Sequence, residues 1–129
     1  MKIKDFTVGQ IAYAFSYEDI ALLKGLKPKK YTVAKIGRKY LYAVRREEVN
    51  IKAVPDYLLI RFKEPDYTDS FLEENIDYGD RTILFSDMEA AKDYYQKRKL
   101  VRFLTSGVKW ENYTLDELKE IQKILGEQV

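Results

Sequence analysis

The sequence contains no cysteine and no histidine. Without cysteine there are no disulfides, and without either residue there is no Cys/His zinc site. Ser-His-Asp and Cys-His nucleophile arrangements are excluded on the same ground. Any general acid or base would have to be a carboxylate, a lysine or a tyrosine. The six glycines are scattered; they form neither G-x-x-x-x-G-K-[ST] nor G-x-G-x-x-G, so no phosphate-cradling loop is read. No apolar run approaches the roughly 18 residues that span a bilayer. Met1-Lys2-Ile3-Lys4 is followed by no signal-peptide core, so a cytosolic location is expected. Together these absences lead to the expectation of a protein that is not an enzyme, carries no cofactor or metal, and does not enter a membrane.

What the chain has is charge, distributed unevenly. Residues 1–63 hold 14 Lys+Arg against 6 Asp+Glu, a net +8, and residues 64–129 hold 9 against 15, a net −6. From Lys24 to Arg46 there are nine basic residues and no acidic one, whereas Glu64 to Asp80 holds seven acidic residues and no basic one. Such asymmetry points to a nucleic-acid partner or to surfaces steered toward charged ones.

At 129 residues with 46% apolar content, one domain with a modest core is expected, burying roughly two-thirds of its unfolded surface. The central stretch Tyr31–Arg46 reads as two β-strands joined at Ile36-Gly37-Arg38-Lys39. Tyr40, Tyr42 and Val44 lie on one face, Leu41 and Ala43 on the other, and Gly37 is expected to supply the positive φ of a tight hairpin. Ahead of it, Ile11-Ala12-Tyr13-Ala14-Phe15 alternates as a half-buried strand. Ser16 can then cap a short helix stopped by Gly25, or begin an excursion loop. Downstream, Asn50–Val54 reads as a short strand ended by Pro55. Tyr57–Phe62 reads as a strand with Leu58, Ile60 and Phe62 on the core face, and Phe71–Tyr78 is open between helix and loop. Thr82–Phe85 reads as the last strand.

Two helices follow. Ser86-x-x-Glu89 and Thr114-x-x-Glu117 both have the pattern of a capping box, and Tyr113 with Leu118 has the spacing of a hydrophobic staple. Met88, Ala91, Tyr94, Tyr95, Val101 and Leu104 give the first helix an apolar stripe. Leu115, Leu118, Ile121, Ile124 and Leu125 are expected to form a buried stripe on the second, ended by Gly126. The expected fold is α+β: a small SH3-like antiparallel β-barrel over 1–85 with an acidic insertion at 64–80, then a helical part over 86–129 that covers an open side of the barrel. Trp110, between the helices, is read as a packing residue or a partner anchor.

Phe6-Thr7-Val8-Gly9-Gln10 with Tyr13, followed by Val33-Ala34-Lys35-Ile36-Gly37-Arg38-Lys39-Tyr40-Leu41-Tyr42, resembles the opening of uncharacterised β-barrel proteins common in phages and prophages of Gram-positive bacteria. Phe85-Ser86 with Ala90, Ala91 and Tyr94, and the later Leu115-x-x-Leu118-x-x-Ile121, resemble that family's ending. The likeness implies an SH3-like barrel and a place in the bacterial host cytosol, but no activity. Arg45–Asp80 departs from the pattern in length and acidity.

Two surfaces are candidates for binding. The basic set is Lys29, Lys30, Lys35, Arg38, Lys39, Arg45 and Arg46, interleaved with Tyr31, Tyr40 and Tyr42. It suits phosphate tracking with base stacking, or merely guards a strand edge. The acidic set is Glu64, Asp66, Asp69, Glu73, Glu74, Asp77 and Asp80. It could imitate a phosphate backbone in a basic groove of another protein, fold back on the chain's own cations, or form a solvated loop. Its spacing is not that of a calcium loop. The expectation from this reading is a non-enzymatic, phage-type accessory protein that binds and inhibits a host protein, in the manner of an anti-CRISPR or other anti-defence inhibitor. The alternative is a DNA- or RNA-binding barrel using the 24–46 hairpin.

Overall fold

The computed structural model describes residues 1–23, 25, 27–47 and 50–126; Lys24, the first cation of the basic run, lies outside them. Six strands, β1 (Ile11–Ser16), β2 (Lys29–Ile36), β3 (Leu41–Val44), β4 (Ile60–Lys63), β5 (Leu72–Glu74) and β6 (Thr82–Phe85), form a closed antiparallel barrel in chain order. The 64–80 insertion therefore contributes a strand of its own. β1 pairs with β6, Tyr13 opposite Phe85 and Ser16 opposite Thr82, so the barrel has no open side. The expected α+β barrel with two C-terminal helices is what forms. Three helices complete it: α1 (Tyr17–Leu22), α2 (Met88–Arg102) and α3 (Leu115–Leu125). No described helix is long and apolar enough to cross a membrane.

The chain forms two compact units, Met1–Arg98 and Lys99–Val129. The first has two apolar clusters. One fills the barrel lumen with Ile3, Phe6, Ala12, Ala14, Tyr31, Val33, Leu41, Ala43, Phe62, Leu72 and Leu84. The other lies outside the barrel wall, where Phe15, Ile83 and Phe85 meet Ile20, Phe71 and Ala91, with Tyr94 and Tyr95 packed against them. Alternation in β1 thus sends its alanines into the lumen and its aromatics outward. A six-stranded lumen is narrow, and the large side chains of Tyr31, Leu41 and Phe62 already fill it. β1 and β6 are covered on both faces, which is why Ile83-Leu84-Phe85 is an uninterrupted apolar run.

Local chemistry departs from expectation at several points. Gly37 does not take a positive φ. Its N–H donates to the Tyr40 carbonyl at 2.8 Å, and a Cβ there would meet that same oxygen at 3.2 Å, so glycine serves close approach. α1 forms with Ser16 Oγ accepting from the Asp19 N–H, but it ends at Leu23, which takes φ 48°, two residues before Gly25. Ile51–Ala53 is a 3-10 turn and not a strand, closed by N–H donation from Ala53 to Asn50 and from Val54 to Ile51. A second such turn, Asp56–Leu58, delays β4 to Ile60 and leaves Leu58 exposed. Phe71–Tyr78 is neither helix nor loop throughout, because β5 sits inside it.

α2 starts from Asp87. Its Oδ1 accepts from the Ala90 N–H at 2.7 Å, one residue later than the box read from Ser86. Asp87→Ala is accordingly expected to cost about 1 kcal/mol and Ser86→Ala only a few tenths, as thermal melts of the two variants would show.

In the second unit, α2 runs on into a π-helical turn, Phe103–Gly107, and a 3-10 turn, Trp110–Asn112, precedes α3. The Thr114 box forms in full. Thr114 Oγ1 accepts from Glu117 N–H at 3.2 Å, and Glu117 Oε1 accepts from Thr114 N–H at 2.9 Å. The apolar stripe of α3 is not buried as expected: Leu115 is 67% and Ile124 83% exposed. Leu118 and Ile121 are half-buried and share a shallow cleft with Trp110, whose ring lies 6.0 Å from that of Tyr113.

Candidate nucleic-acid interface

Phe62 points into the lumen, so its strand neighbour Arg61 points out. The register places Lys35 of β2 opposite Tyr42 of β3, and Tyr42 opposite Arg61 of β4. A cation, an aromatic ring and a second cation therefore stand in one row across three strands. The Lys35 ammonium lies 5.4 Å from the centre of the Tyr42 ring. At the end of the row the Tyr40 ring receives the Arg61 guanidinium at 4.5 Å and the Lys39 ammonium at 5.5 Å. The Asn75 amide, oriented with its oxygen toward Arg61, accepts from Nη2 at 2.9 Å and Nε at 3.1 Å, which fixes the guanidinium plane. Among the described residues, none of Lys35, Lys39 and Arg61 forms an ion pair. Cations that lie over rings and pair with no carboxylate keep their charge available at this surface.

The basic run is not one patch. Its strands are antiparallel, so Lys29, Lys30, Arg45 and Arg46 gather where β2 begins and β3 ends, while Arg38 and Lys39 occupy the turn at the opposite end. The eight residues of β2 separate the two groups by about 25 Å. Lys35 lies on the outer face between them. Lys30 is paired with Glu47 at 3.0 Å, and that hydrogen bond raises its pKa. The Arg46 carbonyl accepts from Thr32 Oγ1 at 2.7 Å, tying the end of β3 back to β2. Tyr31 is a lumen residue, and burial raises its pKa, so it offers no ring to a ligand. Arg61 and Asn75 were outside the basic run; the available signal was a lone cation between Ile60 and Phe62 in a strand.

Carboxylates of the 64–80 segment are mostly engaged within the molecule. Glu64 Oε2 accepts from the Ile3 N–H at 2.9 Å, and Glu64 and Asp69 each lie 3.7 Å from Lys2 Nζ. The N-terminal ammonium donates to the Asp69 carbonyl. Glu74 Oε1 accepts from Thr82 N–H and Asp80 Oδ1 from Glu18 N–H, both at 3.0 Å. Glu73 is buried, with Arg81 Nη1 at 2.6 Å and the Tyr67 hydroxyl at 2.7 Å. Tyr67 bonds in turn to the Tyr17 hydroxyl, whose pKa is pushed up to about 12 by burial first and by the Glu73 charge second. Only the Asp66 and Asp77 side chains make no hydrogen bond or ion pair among the described residues. No ion pair among those residues joins the segment to the basic hairpin, although Glu64 and Asp66 share a cleft of about 430 Å³ with Arg38 and Lys39.

No curated protein and no solved structure matches the chain significantly. A family model described as Phage ProQ C-terminal-like domain matches residues 1–128.

Proposed function

The chain belongs to the phage ProQ C-terminal-like domain family, and we propose that it binds RNA through the outer face of β2, β3 and β4. ProQ C-terminal domains are linked to RNA binding. The observation that carries the reading is the row Lys35–Tyr42–Arg61 with Tyr40 and Lys39 beside it, unneutralised among the described residues. The cations track phosphates, while Tyr40, Tyr42 and the Arg61 plane offer stacking surfaces, each worth about 1–3 kcal/mol per base. No covalent chemistry enters this reading.

The inhibitor reading drew on the acidic segment, five of whose seven carboxylates are engaged internally. RNA binding on the β2–β4 face needs none of them.

The test is fluorescence anisotropy with a single-stranded RNA across a salt series, comparing the wild type with the triple variant Lys35→Gln, Lys39→Gln and Arg61→Gln. The variant is expected to bind at least about tenfold more weakly, with a log–log salt slope reduced by about 2, the loss of three phosphate contacts on a single strand. An unchanged slope, or no binding by the wild type at low salt, would overturn the proposal.

A further inference from the structure

Where β1 ends, β6 begins, β2 begins and β3 has just ended, the barrel carries a cleft of about 350 Å³ lined by Ser16, Asp19, Lys29, Arg45, Asp80 and Thr82, among others. Its walls differ in charge. Lys29 is the first residue of β2, and Arg45 directly follows β3. Opposite them stand Asp19, in the first turn of α1, and Asp80, which is held by the Glu18 N–H. Among the described residues neither cation is within ion-pair distance of either carboxylate, although all four line one cavity. The strands carry the cations, and α1 with the segment before β6 carries the carboxylates.

A ligand that suits such a cleft presents an anion to one wall and hydroxyl or N–H donors to the other, within the space of one small moiety. A ribonucleotide unit does both: its phosphate faces Lys29 and Arg45, and its ribose hydroxyl faces the carboxylates. Deoxyribose lacks the 2′-hydroxyl, so Asp19 and Asp80 would face it without a donor. We infer that this cleft is a ribonucleotide subsite that distinguishes RNA from DNA, with Lys29 and Arg45 on the phosphate and Asp19 and Asp80 on the 2′-hydroxyl. The inference rests on the RNA-binding reading and deepens it. It uses a different end of the barrel from Arg38 and Lys39, so a strand that runs along the outer face could reach the cleft.

The experiment compares a single-stranded RNA with the DNA of the same sequence for wild type, Asp19→Ala and Arg45→Gln. The wild type is expected to prefer RNA by about tenfold, the worth of one charge-assisted hydrogen bond. Asp19→Ala should bring the two affinities together by weakening RNA alone, and Arg45→Gln should weaken both. A preference that survives Asp19→Ala overturns the inference. As a check independent of any variant, 5′-AMP and 2′-deoxy-5′-AMP are titrated into the wild type while amide shifts are followed. Shifts at Ser16, Asp19, Arg45 and Thr82 should be larger with the ribonucleotide; equal shifts, or none, also overturn it. Salt-dependent RNA binding through Lys35 and Arg61 without discrimination removes this inference alone, whereas absence of RNA binding removes both.

Discussion

Phe71→Ala is expected to destabilise the protein by about 3–5 kcal/mol, close to the limit for a single core truncation. Phe71 is 2% exposed, and its ring packs edge-on against four others: Tyr17 at 6.1 Å, Tyr67 at 6.3 Å, Phe85 at 5.9 Å and Tyr94 at 5.3 Å. Each such pair adds about 0.5–1.5 kcal/mol beyond area burial. These partners come from α1, the acidic segment, β6 and α2, so one side chain joins four parts of the first unit. Phe71→Leu keeps most of the volume but loses the ring contacts, and should cost about half as much. Urea unfolding of the two variants measures both, and a loss below about 1 kcal/mol for the alanine variant would show that the outer cluster is not a working core. Hydrogen exchange should also quicken at Ala91–Tyr95, whose helix face rests on this cluster.

Much of the barrel could be read from residue order, and what could not has specific causes. β2, β3 and β6 announce themselves through tyrosine and β-branched residues, and the Thr114 box is legible because its four residues are contiguous and act locally. β5 is hidden: it has three residues, two of them glutamate, and Phe71, Leu72 and Glu73 are all buried because both of its faces are covered. No alternation survives such burial. The Ser86 box failed because two good caps are adjacent, and only the backbone decides which carries the first turn. α3 shows the converse, an apolar period without a buried face.

For the candidate site, the charges were legible and their partners were not. A run of nine cations says nothing of its division between two barrel ends, since that division follows from hairpin geometry. Arg61 belongs to the row only through strand register, which composition does not carry. The carboxylates of 64–80 look like a solvated surface in sequence, yet most serve as acceptors for backbone N–H groups and cations of distant segments.

Glu73 is the extreme case, and Arg81→Met is expected to expose it. The carboxylate side chain is 2% exposed while its guanidinium partner is 35% exposed. Removing the guanidinium leaves a buried charge with the Tyr67 hydroxyl as its remaining hydrogen-bond partner. Breaking a buried pair from one side costs about 3–5 kcal/mol, which should lower Tm by about 10 °C or more. Arg81 Nη2 also donates to the Asp77 carbonyl at 3.4 Å, so the loop ahead of β6 should loosen with it. Adding Glu73→Gln removes the stranded charge while keeping an acceptor for Tyr67, and the double variant should recover about 1–2 kcal/mol relative to Arg81→Met. With the Glu73→Gln single variant measured beside them, a double-variant loss smaller than the sum of the two single losses marks a direct interaction and not two independent defects. Additive losses would mean that the pair contributes nothing as a pair. The same variants separate the two uses of charge in this chain. Below its melting temperature Arg81→Met should keep the salt slope of RNA binding close to that of the wild type, because Lys35, Tyr42 and Arg61 stand on β2–β4 and share no partner with Glu73. Stability then depends on the Glu73–Arg81 pair and the salt-dependent part of binding on the β2–β4 face, and one substitution tells them apart.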